Sequence, residues 1–244
     1  MNAFKTRWQV ALAEAGGSRL LAGAQTVQSL AEGFIAGYQL AMSRTELIDG
    51  SAWSALAVSE GFNGLPPLTQ DSAGALSGSK TWIPAVMDMD VLILRVGRGP
   101  DALFCRVDLP NTACRSELRP REGFLDDLGL GMMHFDQLPV NRYQIMAPFS
   151  VRSFPLMEAT SFFSVLLLAS EREGLELTPK LFADARAVGQ VLPEGMDDAG
   201  AKAAVAWLQL NEQRMRLLFS GWDQDQRLVS MYARLGEPSA SSDP

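Results

Sequence analysis

The chain has 244 residues, 47% of them apolar and 20% charged, and a net charge of −7. That content supplies a sizeable core, in one large domain or a few subdomains. An acidic chain with no run of Lys and Arg is neither a general nucleic-acid surface nor a partner for an anionic membrane.

Two cysteines, Cys105 and Cys114, and no apolar stretch after Lys5 and Arg7 point to free thiols in a cytoplasmic protein. The longest apolar run, Phe162-Phe163 and then Val165 to Ala169, is too short to span a bilayer. Residues 3 to 15 suit a short helix, with Phe4, Trp8 and Leu12 at four-residue spacing. Gly16-Gly17 breaks it, and Ser18 is placed to cap a longer helix from Arg19 to about Ser43. Gly33 and Gly37 lie four apart in that helix. Glycine costs about 1 kcal/mol in a helix interior, so the pair predicts the close approach of another backbone.

Ser51 to Val140 is the stretch that reads as sheet. Its strand candidates are Ser51–Val58, Ser77–Pro84, Asp90–Val96, Ala102–Val107, Gly129–Phe135 and His134–Val140. Gly61 to Asp71, with Pro66 and Pro67, reads as a long loop, and Gly97 to Asp101 as a hairpin turn. Short strands with short connections predict antiparallel pairing, in a sandwich or barrel.

Helix returns near Phe154, with Pro155 in the first turn. Met157 to Ala169 is apolar nearly all round, which predicts burial on several sides. Thr178-Pro179 opens a helix to about Val191, and Pro193 ends it. Asp197 or Asp198 caps a third helix running to Ser220, and Asp223 to Leu235 gives a last one. Residues 236–244 are Ser- and Pro-rich, an expected disordered tail. The fold class expected is α+β: N-terminal helices (1–50), an antiparallel β sandwich or barrel (51–150), and C-terminal helices (151–235).

Local motifs add a resemblance. Ala57-Val58-Ser59-Glu60-Gly61, Ser77-Gly78-Ser79-Lys80-Thr81-Trp82-Ile83-Pro84, Asp90-Val91-Leu92-Ile93 and Phe135-Asp136-Gln137-Leu138-Pro139-Val140 follow one another in order. They resemble T-E-P-G-A-G-S, N-G-x-K-x-W-I-T, an Asp-led apolar strand and F-x-x-V-x-V-P of the acyl-CoA dehydrogenase family. The resemblance covers roughly residues 50 to 172. It implies an FAD site in which Ser59 faces the flavin's pyrimidine end and Trp82 and Ile83 lie along its ring. It also implies an acyl-CoA or other acyl thioester substrate.

The departures from that pattern are specific. Pro84 stands where the family has a flavin-contacting Thr, and proline has neither hydroxyl nor N–H. Phe62-Asn63-Gly64-Leu65 replaces the P-G-A-G-S part. The Y-E-G-T-type motif that carries the family's base is absent, and so is its Gly-rich segment. The catalytic residue is therefore unknown from motif, and Glu158 beside the apolar helix is the substitute base to test. Burial would raise its pKa.

His134 is the only histidine, which excludes a multi-His metal site, and no metal is expected. It would have to serve any Ser-His-Asp triad, and it otherwise reads as a plain strand residue. The chain has no C-x-x-C pair, Walker loop or G-x-S-x-G elbow. Two readings stay open. One is an acyl-CoA dehydrogenase-like flavoprotein; the other is a non-catalytic scaffold or partner subunit. Fewer helices than in the family leave apolar surface to cover, so a homodimer or a complex with a longer relative is expected.

Overall fold

The computed structural model describes residues 1–45, 47–48, 52–61, 64–99, 101–111, 113–119, 123, 125–188 and 198–233. The chain divides into two compact units, Met1–Thr6 with Thr45–Ser150, and Arg7–Arg44 with Val151–Pro244. Helix α1 (Asn2–Glu14) gives its first turn to the β unit.

The β unit holds two four-stranded sheets. One has the order β1 (Ser54–Ala57), β4 (Val91–Val96), β5 (Leu103–Asp108), β8 (Gln144–Met146). The other has the order β2 (Thr69–Gln70), β3 (Leu76–Ile83), β7 (Gly131–Leu138), β6 (Cys114–Leu118). Among the described residues there is no closed barrel. The sheets are not purely antiparallel either, because β1 pairs with β4 in parallel. The physical cause lies at the strand starts. Asp90 Oδ2 accepts the Trp53 N–H at 2.9 Å, and the Trp53 carbonyl accepts from Asp90 N and Val91 N at 2.8 and 3.0 Å. Lys5 Nζ holds the other oxygen of Asp90 at 2.7 Å. Parallel neighbours need a crossover, and the passage through β2 and β3 in the other sheet supplies it.

The expected strands Gly129–Phe135 and His134–Val140 are one strand, β7. The sequence reading missed β2, β6 and β8, which are short and largely exposed.

The helical unit contains α2 (Arg19–Thr26), α3 (Leu30–Ser43), α4 (Phe154–Arg172), α5 (Pro179–Ala187), α6 (Asp198–Leu210), α7 (Glu212–Leu218), α8 (Trp222–Asp225) and α9 (Arg227–Ala233). The single helix expected over 19–43 is two. Ser29 caps a new helix, its Oγ accepting from Glu32 N at 3.1 Å, while Glu32 Oε2 reaches back to accept from Gln28 N at 2.9 Å, one residue before the cap of a standard capping box. These two bonds start the new helix and override the continuous apolar pattern. Thr178 caps α5 as expected, accepting from Leu181 N at 3.2 Å. The helix stop at Pro193, the cap at Asp197 and the tail at 236–244 lie outside the described residues.

Helix α4 is the core of this unit, with Phe162, Leu166 and Leu167 all fully buried. Within 151–172 it is long and apolar enough to cross a membrane, but 72% of that window is buried, as for a core helix. Helix α3 crosses it closely. A Cβ on Gly37 would lie 2.6 Å from the Phe162 backbone nitrogen, and one on Gly33 would lie 2.7 Å from Leu166 Cδ2. The two glycines therefore have the packing role their spacing predicts.

Candidate functional site

The β unit pairs Ser59 with Thr81, the residue before Trp82. Thr81 N donates to the Ser59 carbonyl at 3.0 Å, tying the end of β1 to β3. The β3–β7 register shifts between Lys80 and Ile83. Such bulges re-aim side chains, and this one contains Trp82, at φ 61°. A bulky residue at positive φ is strained by about 1–3 kcal/mol. The result is a Trp82 that is 48% exposed, next in sequence to the Thr81 whose N–H bonds the half-buried Ser59. Ile83 rejoins the ladder opposite Gly131 and is 1% exposed. Of the two residues expected along a flavin ring, Trp82 presents its side chain and Ile83 does not. Pro84 is buried as well.

Sequence reasoning missed Arg119. Its backbone N–H extends the β6–β7 ladder by donating to the Leu130 carbonyl at 2.9 Å. Its guanidinium then sits 3.6 Å over the Trp82 ring. A cation–π contact of this kind contributes about 0.5–1 kcal/mol at an exposed site. No local signal marks it, since the partners meet only through the β3–β7–β6 pairing.

Lys80, the last paired residue before the bulge, belongs to a buried ion pair. Lys80 Nζ lies 2.5 Å from Glu60 Oε1, with side-chain exposures of 0% and 8%. Glu60 Oε1 also accepts from Leu68 N at 3.2 Å. Burial lowers the Lys80 pKa, and the hydrogen bond to Glu60 partly offsets this.

His134 meets Ser79 across the β3–β7 pair, with Nδ1 2.9 Å from Ser79 Oγ. Its Nε2 is 3.3 Å from Glu117 Oε2. The line is a serine, an imidazole and a carboxylate, but Ser79 is 3% exposed and its N–H is bonded to Pro66 O. A nucleophile that substrate cannot reach is a cross-strand tie, not a catalytic triad.

The helical unit carries its own titratable centre, at Glu158. Phe154, Glu158 and Phe162 recur every four residues of α4 and so share a face. Tyr38 of α3 lies 5.4 Å from Phe154, and Tyr232 of α9 lies 5.6 Å from Phe162, centroid to centroid. Desolvation among these rings pushes the Glu158 carboxyl up to about 7, and a hydrogen bond with Tyr232 restrains the rise. Tyr232 is in turn pushed well above its ordinary value, first by burial and then by Glu158.

The sign of the Glu158 shift gives a prediction. The folded state holds this proton more tightly than the unfolded state. The stability it contributes is complete below pH 4.5 and is lost as pH rises through about 7. The loss is on the order of 3 kcal/mol. Urea midpoints measured across this range should fall with pH, and Glu158→Gln should flatten that trend. Tyr232→Phe removes the bond that favours the charged form, and should move the fall to higher pH.

The donor set of the β unit fits a flavin ring in part. The exposed indole offers a flat apolar face, and Ser59 a hydroxyl one hydrogen bond away along the chain pairing. Pro84 offers no donor, and Arg119 covers part of the indole.

No protein-family model and no curated protein matches the sequence. Solved structures do match. Butyryl-CoA dehydrogenase from Megasphaera elsdenii is 11% identical with a TM-score of 0.55, over 92% of this chain and 78% of that one. Dibenzothiophene monooxygenase (TdsC) from Paenibacillus sp. A11-2 is 11% identical with a TM-score of 0.55, over 93% and 82%. KijD3, solved with FMN and a dTDP-linked keto sugar, is 14% identical with a TM-score of 0.51, over 99% and 84%. At these identities the likeness shows the fold, which is that of the acyl-CoA dehydrogenases and of monooxygenases built like them.

Proposed function

We propose that the protein is a flavoprotein of the acyl-CoA dehydrogenase type, using FAD to introduce an α,β double bond into an acyl thioester. The observation that carries this reading is an exposed Trp82 held out by a bulge, next to the Thr81 that bonds the Ser59 backbone. Spending backbone strain to expose an indole is a feature of binding sites more than of cores. Structural neighbours named as a CoA dehydrogenase and as an FMN complex support the same class of cofactor.

In this reading Trp82 supplies the flat contact for the isoalloxazine ring, and Ser59 donates to its polar edge. The flavin, when bound, accepts the hydride that leaves the substrate's β carbon. The α proton needs a base, and Glu158, whose carboxyl burial pushes up to about 7 and which is hydrogen-bonded to Tyr232, is the carboxylate to test in that role.

One observation favours the non-catalytic alternative: Arg119 lies on Trp82 and satisfies the ring within the chain itself. FAD titration separates the two readings. Wild-type protein should bind added FAD, though weakly, because Pro84 removes donors worth about 1 kcal/mol each. Pro84→Thr should tighten binding about fivefold, and Trp82→Ala should abolish it. Absence of binding in all three proteins would establish the scaffold reading. Tight wild-type binding unaffected by Trp82→Ala would place the flavin elsewhere.

A further inference from the structure

A second cleft lies at the other edge of the β unit, where β5 leaves its sheet and β8 enters it. Arg106 and Asp108 lie two apart on β5 and share a face, and Gln144 stands directly opposite Arg106 in β8. The turn after β5 adds Asn111, and the short 3-10 turn Val140–Arg142 adds Asn141 and Arg142. Together they line a cleft of about 400 Å³. One wall is rigid: the Tyr143 hydroxyl donates to the Gly74 carbonyl at 2.6 Å and accepts from Gln70 Nε2 at 2.7 Å.

The chemistry of the lining is one-sided. It offers two guanidiniums and three carboxamides against a single carboxylate, and that carboxylate is held by Arg106 Nε at 3.0 Å. Asn111 Oδ1 already accepts from Ala113 N at 3.2 Å, so its NH₂ is the group it can offer a ligand. In a chain of net charge −7, a wall so rich in donors selects for an anion. Guanidinium forks match phosphate and carboxylate oxygens in pairs. The volume falls in the range of small-molecule sites and is far more than one phosphate needs. The polar lining excludes a greasy ligand.

We propose that this cleft binds a small phosphorylated metabolite of about nucleotide size, with Arg106 and Arg142 holding its phosphates. The site is separate from Ser59 and Trp82 and does not depend on the flavin reading.

The test is calorimetric titration of the full chain with ADP, adenosine and inorganic pyrophosphate. ADP and pyrophosphate should bind and adenosine should not. Arg106→Gln with Arg142→Gln should weaken ADP binding at least about tenfold. Arg142→Gln alone, on an exposed turn, is the variant least able to disturb folding and should weaken it in the same direction. Asp108→Asn removes the competing carboxylate and should tighten binding. No ADP binding at millimolar concentration, equal binding of adenosine, or affinity unchanged in the arginine variants would each overturn the proposal. The last outcome would mean that ADP binds elsewhere, such as in the flavin site.

Discussion

Gly37→Ala should unfold the helical unit more readily than any other single-methyl change in α3. Alanine is the better helix former by about 1 kcal/mol, so propensity alone predicts stabilisation. The added Cβ, however, would sit 2.6 Å from the Phe162 backbone nitrogen and closer still to its Cα. Backbone cannot rotate aside as a side chain can, so α3 and α4 must separate along their whole contact. Overpacking of this kind costs about 1–3 kcal/mol and sometimes more, and a backbone clash belongs at the upper end. The expected net loss is about 3 kcal/mol, read as a lower urea midpoint at unchanged slope. Gly33→Ala is the internal control. Its Cβ would meet Leu166 Cδ2, the end of a flexible side chain, so the cost should be small and the propensity gain should nearly offset it. Equal stability of the two variants would show that the helices are not held as close as the structure places them.

The buried ion pair of the β unit gives the other large effect. Lys80→Met leaves the Glu60 carboxylate 8% exposed, with Leu68 N–H as its remaining bonded donor. Glu60→Leu leaves the Lys80 ammonium fully buried with no carboxylate beside it. Removing one partner of such a pair costs about 3–5 kcal/mol, whereas replacing both by apolar groups of similar size is often neutral. Each single variant should therefore lose several kcal/mol in thermal or urea unfolding, and the double variant should recover most of it. The pair also braces the approach to the Trp82 bulge, so FAD binding should fall with the single substitutions and return in the double. A double variant as unstable as the singles would mean that the site needs the ion pair for more than neutralising charge.

Several of these features were legible in the sequence because their causes are local. The unbroken apolar surface of α4 demands burial wherever the helix goes, and Phe162, Leu166 and Leu167 are buried. Thr178-Pro179 carries its own cap and first turn. Two glycines one turn apart in an amphipathic helix announce a close neighbour, though not which one. The ordered motifs from Ala57 to Val140 carried the resemblance to the fold. The raised pKa of Glu158 followed from a carboxylate placed on a greasy helix.

What only the tertiary structure decided depends on groups far apart in the chain. The sequence of β1 and β4 does not state their direction of pairing; the Asp90–Trp53 bonds and a crossover through another sheet set it. Strands β6 and β8 are short and largely exposed, so no alternating pattern marks them, and they exist because β7 and β5 offer them edges. Trp82 looks like a strand residue until the bulge against β7 turns it outward. Arg119 reaches its ring only through three paired strands, and Tyr232 reaches Glu158 only when α9 folds back on α4. Periodicity, capping and turn chemistry act over a few residues and are written where they act. Register, bulges and long-range polar pairs are chosen by whichever distant surfaces pack best once the chain has closed its loops.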